Sequence, residues 1–94
     1  MRRETDHRST LAMSELVNSF GTAVRQLRDR QGWSQEDLAE RADLNRSYVG
    51  ELERGKAIPS LLTLEKIAGA LGISTTSLLT HAERIAQTRL LRCL

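Results

Sequence analysis

Four consecutive polar residues, Asn45-Arg46-Ser47-Tyr48, lie between the apolar residues Leu44 and Val49. Their amide, guanidinium and hydroxyl groups supply both hydrogen-bond donors and acceptors, and the guanidinium can form two parallel hydrogen bonds to one partner. No general base lies beside either hydroxyl to turn it into a nucleophile. This combination favours non-covalent recognition of a polar surface over catalysis.

Patterns typical of catalytic, metal-binding or cofactor-binding sites are absent from the sequence. His7 and His81 are far apart, and neither has further candidate ligands beside it. The single cysteine, Cys93, permits neither an internal disulfide nor a cysteine-rich zinc site. No glycine-rich phosphate loop and no acidic cluster at metal-ligand spacing occurs. We predict no enzymatic activity, no metal and no cofactor.

Apolar residues recur every three or four positions through most of the chain, which predicts five helices and no sheet. Ser, Thr and Asn commonly cap helix starts, and Gly commonly follows helix ends. The predicted starts are Ser14, Ser34, Asn45, Ser60 and either Ser74 or Thr75, and the predicted glycine ends are Gly32, Gly55 and Gly72. Within the first helix, Gly21 indicates a close approach of a neighbouring helix.

The second and third predicted helices are short and are separated by a turn at Asp43-Leu44. Ala39 is small enough for a tight helix crossing, and Val49 and Leu52 face it from the next helix. This packing leaves the outer, N-terminal end of the third helix, residues 45–48, free of core contacts. A polar helix end of this kind fits the major groove of DNA, where an Arg and short polar side chains reach base edges.

The chain resembles the Cro/C1-type helix-turn-helix family, also called the Xre family, over about residues 20–79. The resemblance lies in three successive runs: Trp33-Ser-Gln-Glu-Asp-Leu-Ala-Glu-Arg-Ala, Leu44-Asn-Arg-Ser-Tyr-Val-Gly-Glu-Leu-Glu-Arg-Gly55, and Pro59-Ser-Leu-Leu-Thr-Leu-Glu-Lys-Ile-Ala-Gly-Ala-Leu-Gly-Ile73. It is most similar to restriction–modification controller proteins and phage repressors. The resemblance implies an all-α, five-helix lambda-repressor-like domain that regulates transcription as a homodimer on an inverted-repeat operator in double-stranded DNA.

The resemblance also implies roles for individual residues. Arg46, Ser47 and Tyr48 would face the major groove, with Arg46 the leading choice for a guanine edge. Gln35 would touch a phosphate or support a base contact. The DNA backbone would be held by Asn45, Arg54 and Lys56. Where the family often has Gly in the turn, this chain has Asp43, which tolerates left-handed backbone better than most residues.

Several of these residues have a structural alternative. Arg46 could pair with Glu40 or Glu53, Tyr48 could pack with only its hydroxyl exposed, and Gln35 could be a solvated first-turn residue. Trp33 is predicted to lie in the core, and Glu53 is predicted to connect helices. Glu51 is predicted to face outwards. An acidic side chain there is unfavourable near DNA unless it accepts a hydrogen bond from cytosine or pairs with a basic side chain.

Charge adds little to the case for DNA. The whole chain has a net charge of +2, but residues 33–59 carry six acidic and four basic side chains, a net charge of −2. Well-placed cations and flanking regions would have to supply the attraction to phosphates. No apolar run approaches the roughly 20 residues of a membrane span, and the N-terminus lacks a signal-peptide pattern. We therefore expect a protein of the bacterial cytoplasm or nucleoid, without a membrane partner.

The two ends of the chain flank the predicted domain over residues 14–76. Residues 1–13 show no periodicity and are predicted to form a flexible arm, which could be frayed or could reach DNA through Arg2, Arg3 and Arg8. In residues 77–94 an apolar stripe exceeds what a small domain needs. We expect a dimer contact there or a helix folded back onto the same chain. The residues expected in the dimer contact are Leu78, Ala82, Ile85 and Leu90.

Two other functions remain open at the level of sequence. The chain could be a DNA-binding antitoxin or accessory subunit that acts mainly through a partner protein. It could also be a helix-turn-helix that serves only protein contacts. Steep salt dependence together with sequence selectivity would distinguish DNA-binding functions from the last of these.

Overall fold

The computed structural model describes the backbone of residues 2–92 and the side chains of residues 15–92. The five helices of this part of the chain are α1 (Arg2–Gln31), α2 (Gln35–Ala42), α3 (Arg46–Glu53), α4 (Leu61–Leu71) and α5 (Thr75–Arg92). All regular structure in the described residues is helical, so the predicted fold class is confirmed.

Polar caps define the starts of four helices. The side chains of Ser34, Asn45 and Ser60 accept hydrogen bonds from backbone N–H groups in the first turns of α2, α3 and α4. Ser74 does the same for α5, since its Oγ accepts from the Ser77 N–H at 3.0 Å. These side chains satisfy donors that the first turn of a helix cannot pair internally. The sequence predicted the caps at Ser34, Asn45 and Ser60, and Ser74 is one of the two candidates that it offered for α5.

The start of α1 was predicted wrongly. The helix begins at Arg2 rather than after Ser14, so residues 2–13 continue the helix as backbone. Neither Gly nor Pro occurs before Gly21, and the segment contains good helix formers such as Arg, Glu, Leu, Ala and Met. The lack of an apolar period before Ser14 led to the prediction of a flexible arm, but a helix can continue without such a period.

The core lies where all five helices meet. Its largest fully buried side chains come from every helix: Val24, Leu38, Val49, Leu52, Ile67 and Leu78. Helix α5 runs antiparallel along α1, because Arg89 reaches Glu15 near the start of the described side chains and His81 reaches Gln26 towards the end of α1.

The expected dimer contact along α5 is partly wrong. Leu78 and Ala82 are completely buried in the core of the same chain, and Ile85 packs against that core. At about 1.5 Å per residue, the thirty residues of α1 give α5 a long partner within the chain. The apolar stripe is therefore covered mainly by α1, which is the folded-back alternative. Leu90 is half-exposed.

Candidate nucleic-acid interface

Helix α2 starts with a reciprocal pair of hydrogen bonds between Ser34 and Asp37. The Asp37 N–H donates to the Ser34 Oγ at 3.0 Å, and the Ser34 N–H donates to the Asp37 Oδ2 at 2.9 Å. The hydrogen bond that the carboxylate accepts from the Ser34 N–H holds the pKa of Asp37 below its ordinary value. This capping box fixes the entry of the chain into α2 directly before Gln35.

The turn between α2 and α3 contains one left-handed residue, Asp43, with φ 56° and ψ 51°. Its exposed carboxylate lies 3.7 Å from the Lys66 ammonium, and the Lys66 Nζ donates to the Asp43 carbonyl at 3.2 Å. The Leu44 N–H closes the turn by donating to the Ala39 carbonyl at 2.8 Å. Asp43 therefore occupies the position where the family often has Gly, and Lys66 of α4 contacts both its carboxylate and its carbonyl.

Helices α2 and α3 pack through the residues that the sequence indicated. Val49 and Leu52 are fully buried, Ala39 is 4% exposed, and Leu44 is partly buried against the core. The side chain of Asn45 accepts from the Ser47 N–H at 2.8 Å, which fixes the first turn of α3. The inner face of α3 is thus immobilised by packing and its N-terminus by capping.

Helix α1 holds α3 from the other side at Gly21. A β-carbon at Gly21 would collide with the carbonyl oxygen of Leu52 and would lie only 2.8 Å from that of Glu53. Backbone atoms cannot move aside easily, so the two helices approach this closely only because position 21 is Gly. The close approach inferred from the sequence is confirmed, and its partner is the C-terminal turn of α3.

A largely buried ion pair joins α1 and α3, and a hydrogen bond from Gln35 connects it to α2. The Arg28 guanidinium donates to both Glu53 carboxylate oxygens at 2.7 and 3.0 Å, and to the Trp33 carbonyl at 2.8 Å. The Gln35 Nε2 donates to the Glu53 Oε1 at 2.9 Å. Hydrogen bonding to Glu53 raises the pKa of Arg28 above its ordinary value. Glu53 is the structural tie that the sequence predicted, but its main partner, Arg28, was not anticipated.

Gln35 is held in place rather than simply solvated. Besides its hydrogen bond to Glu53, its side chain lies close to Gly50. The Gln35 Oε1 is 3.5 Å from the position that a β-carbon of Gly50 would occupy. The Arg54 guanidinium lies over the same glycine, with Nη1 at 3.2 Å from that place. The N-terminus of α2 and helix α3 therefore meet at Gly50, which Gln35 and Arg54 both cover.

Tyr48 points towards α4. Its hydroxyl lies 3.2 Å from the Thr63 Oγ1, which also accepts from the Ser60 hydroxyl at 3.0 Å. The ring is partly buried against the core. This position corresponds to the packing alternative considered for Tyr48, and it directs the hydroxyl to the rim of α3 rather than along its outer face.

The remaining predicted residues are exposed. Asn45, Arg46, Ser47, Arg54 and Lys56 all lie on the surface around α3. Arg46 has no ion-pair partner among the residues with described side chains, and Glu53, one of its two suggested partners, is bound to Arg28. Successive residues of a helix differ by 100°, so Ser47, Glu51 and Arg54 share one outward face. Glu51, which the sequence analysis left out of the site, belongs to this face by position.

Trp33 packs against the core, and the Arg41 guanidinium lies 4.4 Å from the centre of its ring. Its core assignment is confirmed. Among residues 15–92, no group of three or more His, Cys, Asp or Glu side chains is arranged to hold a metal ion. No helix in the described part of the chain combines the length and apolar character needed to cross a membrane.

Comparison with known proteins supports the same interpretation of the motif. The helix-turn-helix family model matches residues 24–78. Control protein C.MunI from Mycoplasma sp is 37% identical over 73 residues, which cover 77% of this chain and 99% of that protein. The immunity repressor protein of Bacillus phage phi105 is 42% identical over 60 residues, which cover 64% of this chain but only 42% of the repressor.

Solved structures share the fold. The clp gene regulator ClgR from Corynebacterium glutamicum superposes with a TM-score of 0.77 at 30% identity, covering 82% of each chain. The restriction-modification controller protein C.Esp1396I, solved as a tetramer with its natural 35 base-pair operator, gives a TM-score of 0.70 at 25% identity, covering 77% of this chain and 95% of that one. The resemblance inferred from the three sequence runs is therefore confirmed.

Proposed function

Because this chain belongs to the Cro/C1-type helix-turn-helix family of DNA-binding transcriptional regulators, we propose that it acts as a homodimer on an inverted-repeat operator. The family is one of regulatory DNA-binding domains rather than enzymes. The observation that carries the proposal is a rigidly held α3 with an exposed polar face. Duplex DNA is the expected partner, and the bacterial cytoplasm or nucleoid is the expected location.

Base recognition is assigned to the N-terminal end of α3. Arg46 and Ser47 are exposed on its first turn, and the Asn45 cap fixes their backbone. An exposed Arg at this position can donate two hydrogen bonds to O6 and N7 of guanine. Glu51 follows Ser47 by about one turn, where its carboxylate can accept from the N4 amino group of cytosine. We therefore add Glu51 to the proposed reading residues.

Phosphate contacts are assigned to the rim of the motif. Arg54 and Lys56 lie just beyond α3 and are exposed, and Asn45 lies at its start. Gln35 is oriented by Glu53 beside Gly50, so its amide is positioned at low entropic cost to contact a phosphate. Tyr48 can reach a phosphate only at the edge of the motif that faces α4, because its hydroxyl is hydrogen-bonded to Thr63.

An exposed apolar surface supports the homodimer. We define the apolar patch as Ile58, Leu61 and Leu62, which are 77%, 82% and 59% exposed. The patch begins three residues after Gly55, beyond the end of α3, and continues into the first turn of α4. Association about a two-fold axis would bury the same patch on both copies and pair two α3 helices for two half-sites. Arrangement as a tetramer on an operator is known for C.Esp1396I.

The test is selection of bound fragments from a random pool of duplex DNA. Recovery of an inverted repeat, with half-sites about one helical turn apart, is expected for a two-fold dimer. Arg46→Ala should relax the preference at one position of each half-site, whereas Lys56→Ala should weaken all sequences to a similar extent. Enrichment of no sequence, or identical effects of the two substitutions, would contradict the assignments.

A further inference from the structure

A basic groove lies between α1 and α5. We define it by Thr22 and Gln26 of α1 and by His81, Arg84, Arg89 and Arg92 of α5, and Ile85 and Thr88 of α5 complete its lining. It is open to solvent and has a volume of about 430 Å³. None of these residues is part of the helix-turn-helix surface assigned above.

The groove and α3 lie on different sides of α1. Gly21 of α1 contacts the backbone of α3, and Arg28, about two turns later, reaches Glu53. Thr22 and Gln26 project about 100° and 140° further round the helix from Gly21 and contact Arg89 and His81 of α5 instead. DNA lying along α3 would therefore have α1 between it and the groove.

Cations dominate the groove. Arg89 is held by Glu15 at 3.3 Å and by the Thr22 hydroxyl at 2.8 Å, so part of its charge is compensated. Arg84 is exposed in the middle of α5, where the charge of a helix terminus does not account for it. It has no ion-pair partner among the residues with described side chains. An uncompensated guanidinium beside two further ones is a typical setting for binding phosphate.

His81 reports the same positive field. Its Nε2 lies 3.0 Å from the Gln26 Oε1. Burial lowers its pKa, and Arg30 of α1 and Arg84 of α5 lower it further. The charged groups that act on this imidazole from both helices are thus cationic. An anion bound between them would offset their field and favour the protonated ring.

The shape of the groove favours a polymer over a small molecule. Small ligands bind in pockets that enclose most of their surface and are largely apolar. This groove is open to solvent and only about half of its lining is apolar. The stretch from His81 to Arg92 extends about 16 Å at 1.5 Å per residue. Cations spaced along an open groove can follow consecutive phosphates of a backbone.

We propose that the basic groove binds the phosphate backbone of a second DNA duplex while α3 holds the first. The proposal extends the proposed function, because it takes DNA binding through α3 as given. Binding in the groove would be independent of base sequence and strongly dependent on salt, since it contacts phosphates alone. One molecule would then bridge two DNA segments.

The first test uses the full chain saturated with a selected operator duplex and titrated with a labelled duplex of unrelated sequence. A ternary complex at low salt is expected. Replacing Arg84 and Arg92 with Gln should weaken capture of the second duplex at least tenfold. It should also reduce the slope of log affinity against log salt by about two, while operator binding changes less than twofold.

The matched control compares two single substitutions, Arg84→Gln and Arg25→Gln. Arg25 is an exposed cation of α1 that does not line the groove. Only Arg84→Gln should alter capture of the second duplex. Absence of a ternary complex for the wild type at low salt, or equal effects of the two substitutions, would overturn the proposal. Neither result would affect operator binding, so the proposed function would still stand.

The second test does not need an operator. The pKa of His81 is measured by NMR without and with a duplex of unrelated sequence. The duplex should raise it, and should raise it less in Arg84→Gln. Arg46→Ala should leave the rise intact, because Arg46 lies outside the groove. A pKa that responds to inorganic phosphate but not to duplex would show a free-anion site and overturn the proposal.

Discussion

Glu53 accepts hydrogen bonds from Arg28 of α1 and Gln35 of α2, and its side chain is only 4% exposed. Removing Glu53 would leave the largely buried Arg28 guanidinium with only the exposed Asp29 carboxylate, 3.3 Å away, as an ionic partner. We expect Glu53→Ala to lower the free energy of unfolding by about 3 kcal/mol. Urea denaturation followed by circular dichroism measures this change.

Glu51→Ala is the matched control for Glu53→Ala, because it removes the same side chain two residues earlier on the exposed face of α3. Its effect on stability should stay within about 0.5 kcal/mol. Equal losses in the two variants would show that Glu53 does not hold the three helices together.

Asp37 gives the chain a predictable response to acid. Its pKa is lowered on folding, chiefly by the hydrogen bond from the Ser34 N–H. A carboxylate of this kind contributes stability in full above its ordinary pKa of 3.8 and loses that contribution as the pH falls through its lower, folded-state pKa. Asp37→Asn should therefore be less stable than the wild type at pH 6, and the difference should shrink below pH 3.8.

The check is urea denaturation of both proteins at a series of pH values from 6 down to 2.5. Comparing the two proteins cancels the titration of the other carboxylates. A difference in stability that stays constant through the acidic range would contradict the role of the charged cap.

At the residue scale, the sequence predicted what depends on local spacing. The caps at Ser34, Asn45 and Ser60 follow from neighbours within three positions. The partner of Glu53 could not be found in this way, because Arg28 lies on another helix 25 residues earlier. The direction of Tyr48 depends in the same way on Thr63, which no short-range pattern connects to it.

At the scale of elements, the contact between α1 and α3 depends on one glycine. Gly21→Ala would place a methyl group against the carbonyl oxygens of Leu52 and Glu53. Separating the two helices to make room should cost about 2 kcal/mol, within the usual range for overpacking. Because this shift moves α3 within the motif, operator affinity should fall together with stability.

Gly69→Ala is the matched control for Gly21→Ala. Gly69 lies within α4, and a β-carbon there would have no neighbour within 4 Å. Alanine has less freedom in the unfolded chain and favours helix, so this variant should gain about 0.5–1 kcal/mol. Thermal unfolding of both variants measures the contrast, and a gain in each would mean that helix propensity rather than the close approach decides.

The elements with an apolar period were predicted well, and the elements without one were not. Leu16, Phe20, Val24 and Leu27 identified the part of α1 that covers the core, but they gave no sign of the helix before Ser14. The stripe of α5 identified a helix with an apolar face without identifying what covers it. Periodicity describes one face of a helix, whereas the partner of that face is decided by the packing of the whole chain.

At the scale of the whole molecule, the proposed homodimer requires a surface that would join two copies. Among residues 15–92, the most exposed large apolar side chains lie in two groups, the apolar patch at Ile58, Leu61 and Leu62 and the end of α5 at Leu90 and Leu91. In a two-fold contact each residue occurs twice, so a single substitution by Glu brings two carboxylates close together. Leu61→Glu and Leu91→Glu therefore form a matched pair, 82% and 68% exposed in the single chain.

We expect Leu61→Glu to convert the dimer into a monomer and Leu91→Glu to leave it intact. Glu at the first position of α4 is favourable beside the positive end of the helix, so the fold of Leu61→Glu should keep its stability within about 0.5 kcal/mol. Sedimentation at tens of micromolar gives the mass, and titration of the selected operator gives the affinity. The monomer should lose most of its operator affinity because only one α3 binds at a time. A wild type that sediments as a monomer would refute the dimer, whereas dissociation caused by Leu91→Glu alone would move the interface to the end of α5.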